Sequence, residues 1–136
     1  MFKTVLFPVD RSREAREAAD KVINIVKTYQ ARLVVVSVRE VVSEGQEVFH
    51  PEMTSEQTVV QLLEQAKALF TEQGIEAETI QREGHPAFTI CDVADEINAD
   101  LIVIGCRGTG LGEEGATDSV SNRIINLSPC PILVVP

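Results

Sequence analysis

Leu101-Ile102-Val103-Ile104-Gly105-Cys106-Arg107-Gly108 is the stretch on which the fold turns. Four consecutive aliphatic residues closed by a glycine read as a strand covered on both faces. The segment beyond the strand is glycine-rich: five of the chain's eight glycines fall between Gly105 and Gly115. An ordinary loop does not require so many, so the backbone there is expected to take positive φ or to lie against a ligand. On either side of this stretch the apolar spacing is helical. Upstream, Pro86 suits a first helical turn and begins a helix through Ile90, Cys91, Ala94 and Ile97. Downstream, Val120, Ile124 and Leu127 mark a last helix, and Ile132-Leu133-Val134-Val135 a last strand.

Further out, the same alternation continues to the N-terminus. Val5-Leu6-Phe7 is a short buried strand ended by Pro8, and Ala15, Ala18, Ala19, Val22 and Val26 share a helix face ending near Tyr29. Leu33 to Val36 forms a strand closing near Val38. Val59, Leu62, Leu63, Ala66, Leu69 and Phe70 mark a helix stopped by Gly74. Glu76 to Gln81 is a polar strand expected at a sheet edge, whereas Leu101 to Ile104, the most apolar strand, is expected at the centre. The order βαβαβαβαβ predicts an α/β fold: one domain over residues 1–136, a five-stranded parallel sheet with helices on both faces. In such sheets ligands bind at the carboxyl ends of the strands, near the point where strand order reverses. That directs attention to Pro8 to Arg11, Val38 to Glu40, Arg82 to His85, and Gly105 to Asp118. The long connection from Arg39 to Met53 reads equally as a lid or as a mobile insertion.

Composition narrows the partners. Twenty-one Asp and Glu against twelve Lys and Arg leave a net charge of −9. Such a surface repels phosphate backbones and anionic membranes, and without Trp and with one Tyr there is no aromatic platform for single-stranded nucleic acid. No apolar run approaches the roughly 20 residues of a membrane span, and the N-terminal apolar run is too short for a signal peptide. A cytoplasmic protein is expected. Cys91, Cys106 and Cys130 are odd in number and widely spaced, which favours buried, reduced thiols over a disulfide framework or a zinc site. His50 and His85 have no partner at metal-ligand spacing and are expected at the surface.

Several common tenants of this architecture do not fit. A receiver domain needs a lysine after its last strand, and no Lys lies beyond Lys67. Asp10-Arg11-Ser12-Arg13 is not a flavin phosphate loop, and neither a P-loop nor a dinucleotide fingerprint is present. There remains Gly105-x-x-Gly108, a gap, and Asp118-Ser119-Val120-Ser121 opening a helix. Two glycines permit close approach to ribose and phosphate. The free N–H groups of the helix N-terminus, with the Ser119 and Ser121 hydroxyls, suit anionic oxygens. Asp10 can accept hydrogen bonds from a base or ribose. Asp118 and Ser119 are also ordinary helix caps.

Taken together, Pro8-Val9-Asp10, Ala99 to Gly105 with Arg107-Gly108, Ser119-Val120-Ser121 and Cys130-Pro131-Ile132-Leu133-Val134-Val135 resemble the universal stress proteins over essentially the whole chain. The resemblance implies their adenine-nucleotide-alpha-hydrolase-like α/β fold and a homodimer through the last strand, Ile132 to Val135. It also implies, in the nucleotide-binding branch, ATP or AMP held without a dedicated catalytic apparatus. That branch carries G-x2-G-x9-G-[ST]. Here Gly105, Gly108 and Ser119 match, but Asp118 stands where the third glycine belongs, and Arg11 follows Asp10 where a small residue is usual. Two like charges about 4 Å apart repel by roughly 1 kcal/mol in water and about 4 at a protein surface.

The expected site therefore places adenine between Pro8-Val9-Asp10 and Val38, ribose at Gly105, and phosphates on Arg107, Gly108, Ser119, the Val120 N–H and Ser121. Arg11, Arg13, Arg39 and Arg107 lie just beyond strand ends and suit phosphate, as does a Mg2+ shared with Asp118. On the alternative reading those arginines pair with Glu14, Glu40 and Glu83, and Asp118 fills the anion site itself, leaving a dimeric interaction protein that binds no nucleotide. A weak ATP hydrolase is a third reading, for which no base or P-loop lysine is visible.

Overall fold

The computed structural model describes residues 1–10, 13–41, 51–105 and 120–136. The strands are β1 (Thr4–Pro8), β2 (Arg32–Arg39), β3 (Ala77–Glu83), β4 (Leu101–Gly105) and β5 (Ile132–Val135). The helices are α1 (Arg13–Tyr29), α2 (Glu56–Glu72), α3 (Pro86–Glu96) and α4 (Val120–Leu127), with a 3-10 turn at Pro51–Thr54. All pairings are parallel and the sheet order is β3-β2-β1-β4-β5. The α/β sheet read from the sequence is therefore present, and polar β3 is at an edge as expected. One expectation is corrected: the central strand is β1, not β4, which lies one place in from the other edge. Burial on both faces explains the apolarity of both strands, and it does not distinguish an interior position from the middle.

The two faces of the sheet carry separate cores. Val5, Phe7, Leu33, Val35 and Val103 pack against Ala18, Val22 and Val26 of α1 and against Val59, Leu63 and Phe70 of α2. Phe7 and Phe70 meet edge to face, with centroids 6.0 Å apart. On the opposite face Leu6, Val34, Val36, Val38, Ile102 and Ile104 pack against Ala87, Ile90, Val93 and Ala94 of α3 and Ile124 of α4. Alternation along each strand sends successive side chains to opposite cores, so one apolar run serves both. Two helix residues read as core are exposed instead, Leu69 of α2 and Leu127 of α4. Each lies at the margin of its helix's apolar stripe.

Local chemistry explains the ends of the elements. Asp100, just before β4, accepts hydrogen bonds from the Lys3 N–H at 3.0 Å and the Thr4 N–H at 2.9 Å, and donates its own N–H to the Thr4 carbonyl. The starts of β1 and β4 are thus locked in register. Ser55 caps α2 by accepting from the Thr58 N–H. The connection after β2 is pinned where its described ends meet, the Glu40 N–H donating to the Met53 carbonyl at 2.9 Å, with Met53 buried in the first core. Residues 42–50, the rest of the segment read as lid or insertion, lie outside the described residues.

Gly84 turns the chain from β3 into α3 with φ of 138°, and its N–H donates to the Arg39 carbonyl. A Cβ there would lie 2.9 Å from Thr89 Oγ1, whereas at Gly74, φ 76°, it would meet open space. Gly84→Ala is therefore expected to lower unfolding free energy by about 2 kcal/mol, and Gly74→Ala by about 1. Urea titration of both variants checks this, and equal losses would contradict the steric account.

Candidate functional site

From β1 the chain moves to one side for β2 and β3, then crosses to the other side for β4 and β5. The carboxyl ends of β1 and β4 are consequently the place where the connections diverge, and a crevice forms there in open parallel sheets. Pro8 ends β1 and Gly105 ends β4, and Pro8, Val9, Asp10 and Gly105 are all half-buried. The backbone at this rim is fixed: the Val9 N–H donates to the Val36 carbonyl at 2.8 Å. The Ser37 hydroxyl donates to the Val9 carbonyl at 3.1 Å. Ser37 is only 1% exposed, so its hydroxyl needs this partner.

Val38, on β2, is buried in the second core together with Ile104 and Ile124. Val120 and Ser121 open α4 and are half-buried. Of the ten site residues read from the sequence, Pro8, Val9, Asp10, Val38, Gly105, Val120 and Ser121 are thus on strand ends or on the first turn of α4. Arg107, Gly108 and Ser119 lie outside the described residues, as do Arg11, Cys106, Glu113, Glu114 and Asp118.

The rim beside this crevice is polar and internally paired. Arg39 Nη2 lies 2.7 Å from Glu83 Oε1, and Nη1 donates to the Thr54 carbonyl at 3.5 Å. Its Nε is buried without a hydrogen-bond partner among the described residues. For Arg39, then, the pairing with Glu83 anticipated as an alternative to phosphate binding is present. Glu83 is half exposed, which limits such a pair to about 1 kcal/mol or less and leaves it easy to exchange.

Three residues at this edge escaped the sequence reading as a group. Glu40, immediately after β2, is 3% exposed. His85, at the start of α3, is half-buried rather than on the surface. Its ring is 4.6 Å from that of Phe88, and Arg123 Nη1 of α4 lies 3.1 Å from its Nε2. Arginine has no acceptor, so it donates here and His85 Nε2 accepts. Burial and the neighbouring Arg123 charge hold the imidazole below its ordinary value, against an opposing pull from Glu40. The only sequence signal for this trio is that Glu40 and His85 sit at strand ends while Arg123 follows Val120 by one helical turn.

The two described thiols are not poised for chemistry. Cys91 is buried and Cys130 half-buried, and burial pushes both up from the ordinary thiol value. Among the described residues no group of His, Cys, Asp or Glu could hold a metal ion, and no helix is long and apolar enough to cross a membrane.

The profile of the universal stress protein family matches residues 1–136. The chain is 59% identical to the universal stress protein Sll1654 of Synechocystis, over 100% of this chain and 87% of that one. The chain belongs to the universal stress protein family. Solved structures of the family share the fold. One, a universal stress protein in complex with cAMP, superposes with a TM-score of 0.76 at 20% identity over 99% of this chain and 97% of its own. Another, from Arabidopsis thaliana with AMP bound, does so with a TM-score of 0.73 at 20% identity, covering 98% and 90%.

Within this family member the rim contact of Ser37 is open to direct test. Ser37→Ala removes a buried donor and leaves the Val9 carbonyl with one partner fewer, so a stability loss of about 1 kcal/mol is expected. A loss near zero in denaturant titration would mean that the Pro8-Val9-Asp10 rim is held without it.

Proposed function

We propose that this chain is a cytoplasmic, homodimeric stress-response protein that binds an adenine nucleotide, ATP or AMP, as a signalling module. The observation that carries the reading is the reversal of strand order between β1 and β4, flanked by Asp10 and Gly105. The described residues fit the nucleoside half of such a ligand. Asp10 offers a carboxylate for ribose or base and Gly105 a backbone free of Cβ, while Val38, packed in the second core, would back the adenine position from beneath. The phosphates would fall to Arg107, Gly108, Ser119, the Val120 N–H and Ser121, with Mg2+ as a shared counter-ion. The cAMP and AMP complexes of two structural relatives support the same ligand class.

The rival reading, a dimeric interaction protein that binds no nucleotide, is favoured by Asp118, which stands at the third glycine of the family's nucleotide motif. Calorimetry with ATP, ADP and AMP, with and without Mg2+, separates the two. Saturable heat is expected, and its absence at millimolar nucleotide would establish the rival. Asp118→Gly is expected to tighten ATP binding about tenfold more than AMP binding, because only the longer phosphate chain extends to the carboxylate. An equal effect on both nucleotides would sink the like-charge explanation.

The dimer is supported by β5, an edge strand of the sheet whose Leu133 is 37% exposed. An unpaired apolar edge is a ready pairing surface. Light scattering is expected to give a two-chain mass for the native protein and a one-chain mass for Leu133→Lys. A two-chain mass for both would put the dimer contact elsewhere.

A further inference from the structure

The Glu40, His85 and Arg123 cluster joins three elements that are far apart in sequence. Glu40 follows β2, His85 is the N-cap residue of α3, and Arg123 belongs to the first half of α4. The contact between Arg123 Nη1 and His85 Nε2, at 3.1 Å, is a long-range side-chain tie between α3 and α4. It exists only while Nε2 keeps its lone pair. A proton on Nε2 removes the acceptor and sets two cations against each other. Among the described residues the charged groups that act on the imidazole are Arg123 from α4 and Glu40, just after β2. Phe88 of its own helix covers one side of the ring. The nearby Glu40 charge favours the protonated ring, opposing Arg123.

We propose that His85 and Arg123 form a proton-sensitive clasp that ties α4 to the start of α3 when the imidazole is neutral and releases it when the imidazole is protonated. Without that tie α4 keeps its apolar packing through Ile124, its one buried residue, and the half-buried Val120. That helix is only eight residues long, so the loss of one tie matters more than it would in a longer element. The direction of the pH dependence follows from the environment of the ring. Burial and Arg123 lower the folded-state value beneath the ordinary 6.5, so the stabilisation is complete above that pH and is lost as pH falls through the folded value. Val120 and Ser121 form the first turn of α4, so pH would also govern how firmly that turn is held for a ligand. This last consequence alone rests on the nucleotide reading.

Hydrogen exchange on the full chain without nucleotide tests the clasp, with protection factors read at pH 8 and pH 5 and β1 amides as an internal reference. Amides of Arg123 to Leu127 are expected to lose about fivefold in protection relative to β1 at the lower pH. His85→Gln keeps an acceptor that never charges, and its α4 protection is expected to stay high at both pH values. Arg123→Leu is expected to be low at both. The same pH dependence in His85→Gln as in the native chain, or none in the native chain, would overturn the proposal. Because no nucleotide is present, a failure of the nucleotide reading shows only in calorimetry and leaves this outcome unaffected.

Discussion

Parallel pairing of β1 on both of its edges is the constraint on which the rest of the structure depends. Leu6 sits in register with Val34 of β2 and with Ile102 of β4, while Asp100 locks the adjoining N-terminal ends through two backbone N–H groups. With β1 enclosed, β2 and β3 must extend the sheet in one direction and β4 and β5 in the other. The helices follow, because each crossover has to return along a face of the sheet. Leaving any β1 amide unpaired in this interior would cost more than a typical hydrogen bond contributes. The switch point at the ends of β1 and β4 is thus a by-product of pairing.

Below the carboxyl edge the interior on both faces of the sheet is apolar, and at that edge it becomes polar within a few residues. Ser37 and Glu40 are the buried polar residues among those described, and both lie there. Burying such groups is tolerable only with partners. Ser37 has the Val9 carbonyl, and Arg39 has Glu83 and the Thr54 carbonyl. The pairing makes the edge rigid enough to hold a shape, yet it is made of groups whose charge or partner can change. That distinguishes it from the two cores, where Val and Ile side chains have nothing to exchange.

How much of this was legible beforehand varied with the range of the interaction concerned. Element order was readable because apolar spacing is local: Ala18, Val22 and Val26 announce a helix whatever lies next to them. The polar strand read at residues 76–81 was readable as an edge because Glu76 and Glu78 cannot be buried on both faces. The position of β4 was misread because the same Leu-Ile-Val-Ile pattern satisfies every interior place in a sheet. Candidate strand-end residues such as Asp10 and Gly105 were found through the general rule for parallel sheets. The expectation that His85 lies at the surface failed because its contacts with Phe88 and with Arg123 of α4 are set by tertiary packing.

By itself, then, the sequence determined the α/β class, the sequence of strands and helices, the edge character of β3 and the family, since each depends on periodicity or on short motifs read along the chain. Tertiary structure alone decided that β1 is central, that Arg39 is engaged with Glu83, and that Glu40, His85 and Arg123 share one site. Those facts depend on which elements become neighbours across the sheet. Periodicity specifies which face of an element is apolar, but it carries no record of which polar side chains will meet once those faces are buried.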